Sequence, residues 1–309
     1  MTSNEQAIYE REVGNLVLTA FSLDPKISID DIVKLVRLRD VPIDLSQAAQ
    51  QRPIIKELSS IDELSLNVLE ERYEVPEEFR YLRQSLEERL VLEGKTNGPV
   101  IIVSDPIQHP LKVKQGGYFD FQATSVEIPE VRNIMEEYDT PVTKLARYLG
   151  FGYFVRSGGG QEVLFVHRSP NVGIVKDVMS LNGSTPAFND NFYRQGFDIN
   201  GYLTGHIEDK MKADFGLDRG EFSIGMCYLM DEVGGNNPIV AMEIQTQLSA
   251  KEIAGRVYQR EATIKKHPII YALSDKGEYQ DLLNSLVRLP MYPHAAHVVD
   301  TFVKPKGNF

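Results

Sequence analysis

Residues 150–168 read GFGYFVRSGGGQEVLFVHR, two short β-patterned runs (153–156 and 162–168) on either side of Ser157-Gly158-Gly159-Gly160. Small residues between two apolar runs specify a tight antiparallel hairpin. A polar excursion containing Asn182-Gly183, Phe188 and Phe192 follows, and then a helical pattern closing in HIEDKMKADFGL (206–217), where Gly216 suits a helix end. Downstream, residues 222–230 and 239–247 read as strands joined across the turn formers of 233–238. Ser249 and Glu252 form a capping-box pattern that opens a helix through about residue 265, residues 267–273 read as a strand, and 281–289 as a helix. Strands alternating with helices in this way specify an α/β sandwich.

The order hairpin, polar excursion, helix, glycine resembles the Nudix superfamily, whose signature is G-x5-E-x7-R-E-U-x-E-E-x-G-U, with U aliphatic. With Gly216 and Leu217 as its last two residues, Met211 takes the inner aliphatic position and Asp214 the second of the paired acidic positions. The same alignment puts Asp209 at the arginine, Lys210 at the first glutamate and Ala213 at the other glutamate. Asn182-Gly183 lies further upstream than the signature allows, so residues 184–205 are an insertion, either a loop over a pocket or a solvated connection.

The resemblance implies a Nudix-like α/β/α sandwich with a mixed sheet over residues 96–309, and the apolar periodicity of residues 1–95 gives a mainly helical N-terminal domain before it. It also implies a site that handles diphosphate compounds with Mg2+ or Mn2+ held by clustered carboxylates, since hard cations select oxygen ligands. Asp214, Glu208 and Asp209 are the candidate metal ligands on the helix, and Glu243 is a candidate from the strand 239–247. Glu208 and Asp209 have a plainer reading as acids near a helix start, and residues five apart, such as Asp209 and Asp214, do not share a helix face. Arg168 offers a planar fork for bidentate phosphate contact, His206 stands just before the motif, and Lys210 brings a point cation where the family has a carboxylate.

The function expected is a Nudix-fold module that binds a nucleotide-like or other phosphorylated small molecule without efficient hydrolysis, needing no cofactor. The alternatives are a divergent pyrophosphohydrolase dependent on Mg2+ or Mn2+, and a protein-interaction scaffold.

The remaining sequence sets the frame. The net charge of −11 over 309 residues argues against broad binding to nucleic acid or anionic membrane. Residues 1–95 hold 12 basic side chains against 19 acidic ones, which favours a docking or homodimerising module over a DNA-binding one. Cys227, the one cysteine, excludes an intrachain disulfide and reads as a buried strand residue. Without an N-terminal leader pattern or a long apolar run, a cytoplasmic location is expected. Helices are expected over residues 7–21, from Ser28 with its partner Asp31, from Ser60 with Glu63 through Leu69, and over 79–90. Residues 95–99 read as a linker, 100–103, 111–114 and 118–122 as strands, and 131–138 and 142–149 as helices. His294 and His297 share a helical spacing but read as packing, and Gly158 to Gly160 lack the lysine of a phosphate loop.

Overall fold

A computed structural model describes residues 6–14, 16–38, 40, 42, 44, 54–126, 128–168, 178–231, 237–274, 284 and 286–303. In chain order the elements of the first half are β1 (Ile8–Val13), β2 (Leu16–Ser22), α1 (Ile29–Leu35), β3 (Ile54–Leu58), β4 (Leu66–Arg72), α2 (Arg80–Leu92), β5 (Pro99–Val103), β6 (Leu111–Gly117), α3 (Tyr118–Ala123) and α4 (Pro129–Tyr138). The second half holds β7 (Gly150–Ser157), β8 (Glu162–His167), β9 (Met179–Ser180), β10 (Asn182–Ser184), α5 (Ile199–Phe215), β11 (Phe222–Met230), β12 (Ile239–Thr246), α6 (Ala250–Val257), α7 (Glu261–Lys266), β13 (Ile269–Ser274) and α8 (Pro293–Val303).

The main sheet runs β1-β2-β13-β8-β7-β12-β11-β3, with β10 and β9 pairing the flanks of β7 and β8, while β4-β6-β5 form a smaller sheet. It is mixed: β7 and β12 run parallel, whereas β7 pairs β8 antiparallel through the expected hairpin. Alternate strand residues enter two cores, because successive side chains in a strand point to opposite faces. On one face Tyr153, Val155, Met242 and Ile244 pack with Ile207, Met211 and Phe215 of α5 and Ile253 of α6. On the other, Phe154, Phe165 and Ala241 pack with Ile32 near the chain start and Val299 of α8. The result is the α/β/α sandwich.

The expected helical start is corrected. Residues 8–22 form the β1-β2 hairpin around Gly14 at φ 62°, and β2 then pairs with β13, so the first strands belong to the main sheet. Both faces of β2 are covered, with Leu18 and Ala20 in one core and Phe21 in the other. A strand covered on both faces carries a near-continuous apolar run, which a helical period also fits. Ser28 and Asp31 do form a capping box on α1, and α2 closes at Glu93, one residue before Gly94. Ser60 opens only a single 3-10 turn before β4.

Residues 118–123 are helix α3, not strand, because Phe119 packs on Leu86 and Leu90 while Phe121 enters the cluster of Val100 and Ile102. Residues 142–149 hold a 3-10 turn and then extend so that Leu149 donates to Ile101 O at 2.9 Å. The helix expected over 250–265 is broken into α6 and α7 at Gln259, whose φ of 64° admits no helical continuation. Of the helix expected over 281–289, residues 281–283 and 285 lie outside the described residues. Cys227 is buried, and burial pushes its thiol up to about 12. His297 is buried in α8. Among the described residues no helix is long and apolar enough to cross a membrane.

Candidate functional site

Helix α5 carries the site. Asp198 caps its start by accepting from Gly201 N at 2.8 Å. At its end Gly216 adopts φ 67°, and Leu217 N donates back to Met211 O at 3.2 Å, the reversal that glycine permits without a Cβ penalty. Leu203, Ile207, Met211 and Phe215 are fully buried against the sheet, each contributing on the order of 1.5–3 kcal/mol to its docking. Lys210 and Asp214, four apart and therefore stacked on one face, look into a pocket of about 410 Å³.

This pocket lies where β7, β10, the end of β8 and the start of β13 meet. Gly183 allows β10 to approach β7, since a Cβ there would stand 2.9 Å from the Phe151 carbonyl oxygen. Asp214 is only 3% exposed; Asn182 Nδ2 donates to its Oδ2 at 3.2 Å, and Lys266 Nζ stands 3.8 Å from its Oδ1. Arg168 and His267 complete the charged and titratable lining. Burial is the main force lowering the Lys210 pKa from its ordinary value; Asp214 opposes it, and the nearby Lys266 ammonium adds to it. Lys210, Lys266 and Arg168 therefore share the pocket with one carboxylate among its described lining residues.

Burial likewise lowers His267 to about 4, against the pull of Asp214, so its imidazole is neutral near pH 7. His206 does not line the pocket. Its Nε2 stands 2.8 Å from Ser184 Oγ, which does line it, and the ring meets Phe151 edge-on. Burial, helped by Lys210, lowers His206 to about 4, so it positions the hydroxyl as a neutral ring.

The other expected metal ligands are dispersed. Glu208 pairs with Arg219 at 3.1 Å, Asp209 is exposed, and Glu243 pairs with Arg156 at 2.7 Å; none of them lines the pocket. Among the described residues no three His, Cys, Asp or Glu side chains converge as a metal site. A divalent cation needs several oxygen ligands, yet Asp214 brings one carboxylate whose oxygens already face an ammonium and an amide NH2. The donor set does not fit Mg2+ or Mn2+.

A second pocket, of about 370 Å³, is lined by the aromatic rings of Tyr118, Phe121 and Tyr148 and shares Tyr148, Arg168 and Thr185 with the first. Phe121 and Tyr148 meet edge to face at 4.1 Å between centroids. Of the candidates read from the sequence, Arg168, Lys210 and Asp214 line one pocket, while Lys266, His267 and Asn182, which share it, were not among them and come to it only through the tertiary fold. The Asn182-Gly183 pair, visible as a turn signal, was the one available hint.

No family model and no curated protein matches this chain. Solved structures are similar over about half of it. Among them are DR0079 from Deinococcus radiodurans (9% identity, TM-score 0.35, 50% of this chain and 81% of that one), the Nudix hydrolase RenU from M. smegmatis (15%, 0.31, 50% and 81%), and the Nudix domain of NrtR from Shewanella oneidensis, solved with ADP ribose (11%, 0.28, 51% and 86%).

Proposed function

We propose that this chain is a Nudix-like module that binds a phosphorylated, nucleotide-like small molecule and does not hydrolyse it efficiently. The observation that carries the reading is that Arg168, Lys210 and Lys266 line one pocket together with Asp214, the one buried carboxylate among its described lining residues. Three cations against one anion leave an excess of positive charge in a chain whose net charge is −11, a local field suited to phosphate. Arg168, common to both pockets, bridges a phosphate group in the first and a planar ring in the second, where Tyr118 and Tyr148 supply stacking and edge contacts. Hydrolysis at a diphosphate needs charge neutralisation together with an activated water. Lys210 stands where the resembled signature has a carboxylate that would help to hold the metal for both, and the neutral His206 and His267 bring no negative charge in its place.

Calorimetric titration with ADP and with inorganic pyrophosphate tests this. ADP is expected to bind the more tightly, and Tyr148→Ala to bring it down to the pyrophosphate level. A parallel turnover assay on nucleoside-diphosphate compounds with Mg2+ or Mn2+ is expected to release no phosphate-containing product. Turnover that is lost in Asp214→Asn would establish the hydrolase instead.

A further inference from the structure

We propose that the pocket holds the diphosphate group of its ligand without a divalent cation, the ammonium groups of Lys210 and Lys266 directly neutralising the phosphate oxygens and Asp214 acting as their fixed counter-charge. The inference rests on the phosphate-binding reading above and adds how the anion is held.

Three observations support it. First, the two lysines come from different elements, Lys210 from the middle of α5 and Lys266 from the last residue of α7, so tertiary packing brings them to one pocket. Two ammonium groups lining one pocket are an arrangement that an anion relieves, and Asp214, 3.8 Å from Lys266 Nζ, brings a single negative charge. Second, Asp214 is tied down as a structural counter-ion and not left open as a ligand. Asn182 donates to one oxygen while its own Oδ1 accepts from Gly183 N at 2.9 Å, which fixes the amide orientation and leaves Asp214 facing an N–H donor. Third, among the described residues the remaining lining offers cationic or neutral groups, Arg168, the Ser184 and Thr185 hydroxyls and His267, and no second carboxylate. Such a set repels a hard cation and receives an anion, and lysine on its flexible stem meets phosphate as a point charge without bidentate geometry.

The test is calorimetric titration of the full chain with inorganic pyrophosphate, once in EDTA and once in excess Mg2+. Binding in EDTA is expected to equal or exceed that in Mg2+, which competes for the same oxygens. Lys210→Met and Lys266→Met are each expected to weaken it by about tenfold or more, Lys210→Arg to retain most of it, and Asp214→Asn to strengthen it several-fold, as for charges paired in a partly enclosed site. Thermal melts of each variant separate lost binding from lost fold, and the arginine variant and the strengthened Asp214→Asn keep the result readable if a methionine variant is unstable. Binding that requires Mg2+, or Asp214→Asn that abolishes binding, overturns this inference and leaves the broader binding reading standing. Absence of binding in both buffers overturns both.

Discussion

Two carboxylates flank the C-terminal glycine of α5, and their surroundings differ sharply. Outside, Glu221 receives both ends of the Arg256 guanidinium at 2.6 and 2.9 Å, one anion matched by one cation, and that fork is the main force holding its carboxyl at about 2. Inside, Asp214 is shared by two lysines and an amide, one anion set against more than one cation. The outer pair is electrically complete and ties α6 to the turn after α5, with Arg256 Nη1 also donating to Gly216 O at 3.2 Å. Among the described residues the inner cluster carries an excess of positive charge, which the proposed anion would offset. Charge balance thus separates a structural pair from a receptive site more clearly than the presence of acidic residues does, which is why Glu208 and Glu243, each matched by an arginine, fall on the structural side.

The strongest way to break the contrast is to remove what supports both sides. Phe215→Ala empties a fully buried position between them and is expected to cost about 3–5 kcal/mol in denaturant unfolding. A loss below about 1 kcal/mol would mean that the end of α5 is not anchored by core packing. Next, Asp214→Asn should destabilise the unliganded protein at neutral pH by on the order of 1–3 kcal/mol, because Lys210 loses its one buried counter-charge. Unchanged stability would show that the lysines need no counter-ion.

The smallest effect belongs to Glu221, whose side chain is 32% exposed. Its folded pKa lies below the unfolded value, so its contribution is fully present above about pH 4.5 and is lost as pH falls towards about 2. Glu221→Gln is therefore expected to lower the urea midpoint slightly at pH 7 and to flatten its fall between pH 4.5 and 3. An identical acid limb in the variant would remove Glu221 from that transition.

Much of the fold was legible where local chemistry is decisive. The glycines at 158–160 announced the β7-β8 hairpin, Gly216 the end of α5, and Ser249 with Glu252 the start of α6. Errors fell where one apolar pattern serves two structures. Residues 7–21 have a helical period but are drawn into strands by β13, and Phe119 and Phe121 alternate like a strand yet fill two separate cores from a short helix. The candidate site divides in the same way. Lys210 and Asp214, four apart, were readable as neighbours, but nothing local connects Asp214 to Lys266 or to Asn182, because those contacts form only when α7 and β10 pack beside α5.

The sequence by itself determined that the α/β region would carry Lys210 and Asp214 on a helix closed by Gly216, because helix periodicity and the backbone freedom of glycine act within a few residues. Only the tertiary structure decided what those side chains mean. It set Lys266 and Arg168 beside them, pinned Asp214 through Asn182, and sent Glu208 and Glu243 to arginine partners, since charge balance in a pocket depends on residues that the fold brings together from distant parts of the chain.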